Sequence, residues 1–149
     1  MPKYYEEKSW PSLPPEMEAD LIKVGITGEG VMGHKNNLEF SILKCPWSLR
    51  EWASNNLPLK IDKKWVVALQ KFNISSTPFH VDDFRTCSYN YLLYGEGAKT
   101  FWKEEMKGKI VESVEYEKSK WYFHNSCVPH QVANIPNQER IAVTIFKFQ

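Results

Sequence analysis

The chain has 149 residues and a formal net charge of +1, from nineteen basic and eighteen acidic side chains. Domains most often run about 100–150 residues, so the sequence predicts one domain over 1–149. The even charge balance leaves no electrostatic footprint for nucleic acid or an anionic membrane, and 42% hydrophobic with 25% charged residues excludes a disordered polymer.

The first twenty residues, with Pro2, Pro11, Pro14 and Pro15, predict a loop or arm draped over the core. Residues 21–27 (LIKVGIT) and 38–43 (LEFSIL) read as short strands on either side of a Gly- and Asn-rich loop. Ser48-Leu49-Arg50-Glu51 has capping-box spacing and predicts a short helix to about Asn55, closed before Pro58. Beyond it, 64–72, 77–82, 86–94, 98–102, 110–117, 119–124, 128–133 and 140–148 read as strands separated by turn signals, the pattern of an antiparallel sandwich or barrel. Aromatic residues make up 14% of the chain and favour strands. In the last run Ile141, Val143 and Ile145 face one way, and Arg140, Ala142, Thr144, Phe146 and Phe148 the other.

Cys45, Cys87 and Cys127 are odd in number and widely spaced, which argues against a disulfide framework or a thiolate zinc site. The opening MPKYYEEKSW lacks the apolar core of a secretory leader, and no apolar run reaches the roughly 18 residues of a membrane span. A reducing, cytoplasmic setting is expected, with no nucleic-acid or membrane partner. Gly28-Glu29-Gly30-Val31-Met32-Gly33 matches G-x-G-x-x-G as letters. A dinucleotide loop needs a strand before it and a helix opening from it. His34-Lys35-Asn36-Asn37 opens a helix poorly and no βαβ unit follows, so this stretch reads as a loop with His34 solvated.

His80-Val81-Asp82 carries more information. On a strand, residues i and i+2 share a face, so the imidazole and carboxylate project together and Asp83 points away. Such a pair alone is usually structural. His130, in Pro129-His130-Gln131-Val132, adds a second imidazole. Two histidines and one carboxylate hold Fe(II) on one face and leave three positions open, and the same donors accept Mn, Co or Zn. With these three residues alone, turn capping and metal binding explain the pattern equally well.

Arg140 tips the balance. It heads the final strand on the face of Ala142, Thr144 and Phe146, which reads as interior, and a buried arginine needs an anionic partner that the strand does not supply. A guanidinium forks around a carboxylate with two charge-assisted hydrogen bonds, and the Thr144 hydroxyl can donate a third. The pair suits the distal carboxylate of a small diacid whose other end chelates the metal; the plain alternative is a surface arginine at a strand end. Arg85 either contacts substrate or cosubstrate or simply pairs with Asp83, the plainer reading. Asn90 and Asn134 either line the pocket or serve ladder and turn, and His124 is a second choice as ligand. Trp102, Trp121 and Tyr122 either stack on a substrate or pack the core, as most aromatics do. The mixed charges of 103–109 read as a solvated hairpin.

His80-Val81-Asp82-Asp83, Tyr91-Leu92, Gly95-Glu96-Gly97-Ala98-Lys99-Thr100-Phe101, Pro129-His130-Gln131-Val132 and Arg140-Ile141-Ala142-Val143-Thr144 stand in an order and approximate spacing that resembles the Fe(II)/2-oxoglutarate-dependent dioxygenases. The likeness spans about 77–148. It is closer to the prolyl-hydroxylase-like branch, although aspartyl/asparaginyl hydroxylase-like proteins share much of the pattern. Gly97-Ala98-Lys99-Thr100 departs from that branch's Gly-Gly-x-Thr at the second glycine. The resemblance implies a mainly β fold, the double-stranded β-helix (a jelly-roll or cupin-type barrel), with a short N-terminal helical support. It implies His80, Asp82 and His130 as catalytic iron ligands, Arg140 and Thr144 as the 2-oxoglutarate anchor, and Tyr91 reaching the same carboxylate. The implied activity consumes O2 and 2-oxoglutarate, releases succinate and CO2, and hydroxylates a C–H of an amino acid, a peptidyl residue or a small metabolite. A cupin-like barrel that binds a metal or small acid without oxygenase activity is the alternative, and a metal-dependent isomerase or hydrolase a third reading. Oligomeric state is not set by the sequence.

Overall fold

The computed structural model describes residues 2–27, 40–43, 47–83 and 85–149. In chain order the elements are β1 (Tyr5–Lys8), α1 (Pro15–Thr27), β2 (Phe40–Leu43), α2 (Trp47–Asn56), β3 (Trp65–Phe72), β4 (Ser88–Tyr94), β5 (Lys99–Lys103), β6 (Ile110–Val114), β7 (Trp121–His124), β8 (His130–Ala133) and β9 (Arg140–Lys147). The strands form a six-stranded sheet, β1-β7-β4-β9-β3-β2, and a three-stranded sheet, β6-β5-β8. Every ladder is antiparallel. The architecture is the mainly β jelly-roll expected, with the helices as support.

β9 organises the molecule because both its faces are covered: Arg140 through Phe146 are all buried. Directly opposed residues of an antiparallel ladder share a face. Val143 stands opposite Leu69 of β3 and Tyr91 of β4. These join Ile141, Ile145, Leu93 and Trp121 in one apolar layer against Leu21 of α1 and Leu49 and Ala53 of α2. At about 1.5–3 kcal/mol for each fully buried Leu, Ile or Val, this layer fixes the large sheet firmly on its helices. On the other face Thr144 stands opposite Ala68 and Asn90, Ala142 opposite Gln70 and Leu92, and Arg140 opposite Phe72. That face meets the small sheet. Phe72 packs with Ala98, Val132 and Ile135, and Tyr122 with Trp102 and Tyr116, so two apolar clusters bridge the sheets and leave a more polar strip between them.

Several sequence expectations change. Residues 21–27 are the second half of α1, not a strand. The short stretch looks strand-like, but Pro15 at the start, Glu16 and Glu18 in the first turn, and apolar Met17, Leu21 and Val24 at helical spacing favour a helix. Gly25 permits its close seat on the sheet, since a Cβ there would lie 2.7 Å from Ile141 Cδ1. The N-terminal arm is not merely a loop: β1 pairs with β7 and adds an edge to the large sheet. Residues 77–82 form no strand. Proline 78 interrupts pairing, and only His80 makes an isolated bridge, with His130. The 40–43 part of the second expected strand is β2, and α2 runs one residue beyond the expected helix at each end. The G-x-G-x-x-G stretch, His34 and Cys45 lie outside the described residues. Among the described residues no helix is long and apolar enough to cross a membrane.

Candidate active site

The His80–His130 bridge builds the site. Each residue's backbone N–H donates to the other's carbonyl at 3.0 Å, which sets the imidazoles side by side with ring centroids 4.3 Å apart. Each Nδ1 lies 2.8 Å from a carbonyl two residues back, Pro78 O for His80 and Val128 O for His130. A carbonyl only accepts, so Nδ1 carries the proton and each Nε2 offers a lone pair. Asp82 completes the group, with Oδ1 3.8 Å from His80 Nε2 and Oδ2 3.5 Å from His130 Nε2. The three side chains bring ligand atoms within 4.8 Å of one another, close enough to hold one metal ion. The side chain of His80 is 39% exposed and that of His130 5%, so the cluster has a solvent side and a barrel side. Burial, followed by the neighbouring His80, pushes the His130 pKa down to about 4. Its imidazole is therefore neutral at pH 7, the form a metal requires.

Arg85 pairs with Asp82, not with Asp83 as expected. Its Nη2 contacts Asp82 Oδ2, and its guanidinium sits 4.2 Å over the Phe146 ring. Asp83 is exposed. The segment leaves β8 after the bridge, Asp82 N–H is held by Ser126 O at 2.9 Å, and Arg85 folds back over the carboxylate.

Arg140 and Thr144 lie where the strand alternation puts them, on the barrel face of β9. Arg140 is 4% exposed, and among the described residues no carboxylate pairs with it. Burial pulls its pKa down to about 10, offset only by the nearby Tyr116. Its guanidinium lies 6.0 Å from the Phe72 ring. Thr144 Oγ1 and the Oδ1 of Asn90, opposite it, are buried without hydrogen-bond partners. A buried cation with no carboxylate partner among the described residues, on the same barrel face as two orphaned polar atoms, is the chemistry of an anion-binding pocket.

Tyr91 is not part of that pocket. It stands opposite Val143 on the helix-facing side, where its hydroxyl donates to Glu18 and accepts from Leu13 N–H at 3.1 Å. Burial, then Glu18, pushes its pKa up to about 12. Leu92 and Asn90 face the barrel instead. His124 also faces the barrel but lies outside the His80–Asp82–His130 group. Its ring stands edge-on to His130 at 5.0 Å, and its Nδ1 is 2.8 Å from the Tyr116 hydroxyl. Burial first, then His130 and Arg140, holds His124 well below the usual imidazole range. Arg140 and the metal-competent cluster thus share one neighbour. Sequence reading missed this Tyr116–His124 pair, because only the fold brings Tyr116 inward. Trp102, Trp121 and Tyr122 are packing residues, with polar groups bonded to Asn125 O, Pro11 O and Glu117 N–H. Asn134 serves a turn at φ 58°.

No family model and no curated protein matches the sequence. Solved structures do. A prolyl-4-hydroxylase from Pseudomonas putida superimposes with TM-score 0.60 at 17% identity, over 99% of this chain and 94% of its own. A prolyl hydroxylase from Trichoplax adhaerens, in complex with a hypoxia inducible factor oxygen degradation domain peptide fragment, gives TM-score 0.59 at 12% identity, over 97% and 83%. The chain shares the fold of these hydroxylases over nearly its whole described length.

Proposed function

We propose that this protein is an Fe(II)- and 2-oxoglutarate-dependent dioxygenase, built as one domain, that hydroxylates a C–H of an amino acid, a peptidyl residue or a small metabolite. The observation that carries the reading is Arg140, a buried guanidinium with no carboxylate partner among the described residues, on the barrel face that also meets the His–Asp–His cluster. The residues fit the implied metal: two imidazoles with Nδ1 tied to carbonyls and one carboxylate turned toward both. Iron and 2-oxoglutarate held there would supply the oxidising chemistry, consuming O2 and releasing succinate and CO2 as a substrate C–H becomes C–OH.

The chain's own residues bind, orient and exclude water. His80, Asp82 and His130 hold the metal, and Arg85 fixes the Asp82 carboxylate. Arg140 takes the distal carboxylate of the oxo acid in a bidentate fork, and the Thr144 hydroxyl and the Asn90 amide face the same pocket from further along β9 and β4. Phe72, Val132 and Ile135 keep that end dry, which strengthens the charge pairing. The substrate approaches from the exposed side of His80.

The test is an anaerobic titration of the metal-free protein with Fe(II) and 2-oxoglutarate, watching for the visible charge-transfer band of a chelated 2-oxo acid. The band should form in the native chain, and Arg140→Ala should raise half-saturating 2-oxoglutarate about 10–100-fold. Iron binding without a band would leave a metal-binding barrel of another kind. An unchanged requirement in Arg140→Ala would move the anchor elsewhere.

A further inference from the structure

Cys87 and Cys127 stand on the two segments that carry the metal-competent residues. Cys87 follows the Asp82–Arg85 pair and leads into β4; Cys127 lies between β7 and β8, in the loop that ends at His130. Both thiols are free, with Cys127 exposed and Cys87 partly buried. Their sulfurs are 3.6 Å apart. Asn125 Oδ1 accepts from the Cys87 thiol at 3.3 Å and from Cys127 N–H at 3.0 Å. The Cys127 thiol lies 3.7 Å from Arg85 O. The same loop supplies Ser126 O to the Asp82 N–H and Val128 O to His130 Nδ1.

We infer that Cys87 and Cys127 are a dithiol pair that hydrogen peroxide closes into a disulfide, and that closure weakens metal binding at His80, Asp82 and His130. The second half rests on the metal reading proposed above. In the reaction the two thiols give up two protons and two electrons. The peroxide O–O bond breaks, one S–S bond forms, and the oxidant leaves as two waters. The sulfurs must close from 3.6 Å to about 2.05 Å. The thiol contacts to Asn125 Oδ1 and Arg85 O are lost as they do. Closure draws the Cys127 loop and the Cys87 segment together and shifts Ser126 O and Val128 O, which hold the Asp82 N–H and His130 Nδ1; disturbing such orienting partners weakens metal affinity about 10–100-fold.

The experiment uses the full chain with Cys45→Ser, so that only this pair can react. The reduced, metal-free protein is treated with stoichiometric hydrogen peroxide, then divided between peptide mass spectrometry and titration with Mn(II). The expected result is a Cys87–Cys127-linked peptide reversed by dithiothreitol, with Mn(II) affinity about tenfold weaker in the oxidised protein. Adding Cys87→Ser should remove both effects. Separate sulfenic acids or intermolecular disulfides without the linked peptide would overturn the proposal, as would a linked protein with unchanged or tighter Mn(II) affinity. Failure of the reduced protein to bind Mn(II) would refute the metal reading and the switch with it, while the mass measurement would still report the pairing on its own.

Discussion

Arg140 concentrates the physical tension of this molecule in one side chain. A guanidinium removed from water without a carboxylate is destabilising, and replacing buried charged groups by apolar ones of similar volume often gains about 1–4 kcal/mol. The ligand-free Arg140→Met protein should therefore be more stable than the native chain in urea at pH 7, by an amount within that range. A loss of stability instead would reveal an internal partner for the guanidinium. Arg140 and Thr144 were legible in the sequence because strict alternation along the last strand puts them on one face. Tyr91 was not, because its role came from the resemblance alone, and the β4–β9 register puts it opposite Val143 on the helix-facing side. The Arg85–Asp82 pair was also hidden, since it forms only where the segment after His80 diverges from β8.

At the scale of elements, α1 shows how a short window misleads. Residues 21–27 look strand-like by themselves; the preceding turn, with Pro15, Met17 and Leu21, sets the helical period. Gly25 then decides how closely that helix sits, because a Cβ would meet Ile141 Cδ1 at 2.7 Å and Cγ2 at 2.8 Å. Gly25→Val should cost about 1–3 kcal/mol by overpacking, read as a lower urea midpoint with an unchanged slope. Ile141→Ala in the same chain should recover part of that loss, since contacting sites are not additive; strict additivity would separate the two residues. The 77–82 segment is the complementary case. It is no strand, yet one bridge from His80 to His130 suffices to converge the donor atoms that the H-x-D spacing suggested.

Across the whole molecule, the proposed metal joins pieces distant in the chain, so its binding should be visible as folding stability. A ligand that binds only the native state at a hundredfold its Kd adds about 2.7 kcal/mol. For a protein of this size that raises Tm by about 5–10 °C. Mn(II), which does not react with O2 here, should produce this shift in the native chain and none in His80→Ala, whose circular dichroism should stay native. Equal shifts in both would place the ion elsewhere.

The two faces of β9 also set the pattern of mutational tolerance. Ile141, Val143 and Ile145 anchor the helices, while Arg140, Ala142, Thr144 and Phe146 line the barrel. Substitutions at the even-numbered positions change the lining of the proposed 2-oxoglutarate pocket and leave the scaffold intact. A single inserted or deleted residue within the strand would exchange the two sets, carrying the guanidinium into the helical layer and the aliphatic anchors into the pocket. Drift along this strand is thus open to point changes and closed to changes of length.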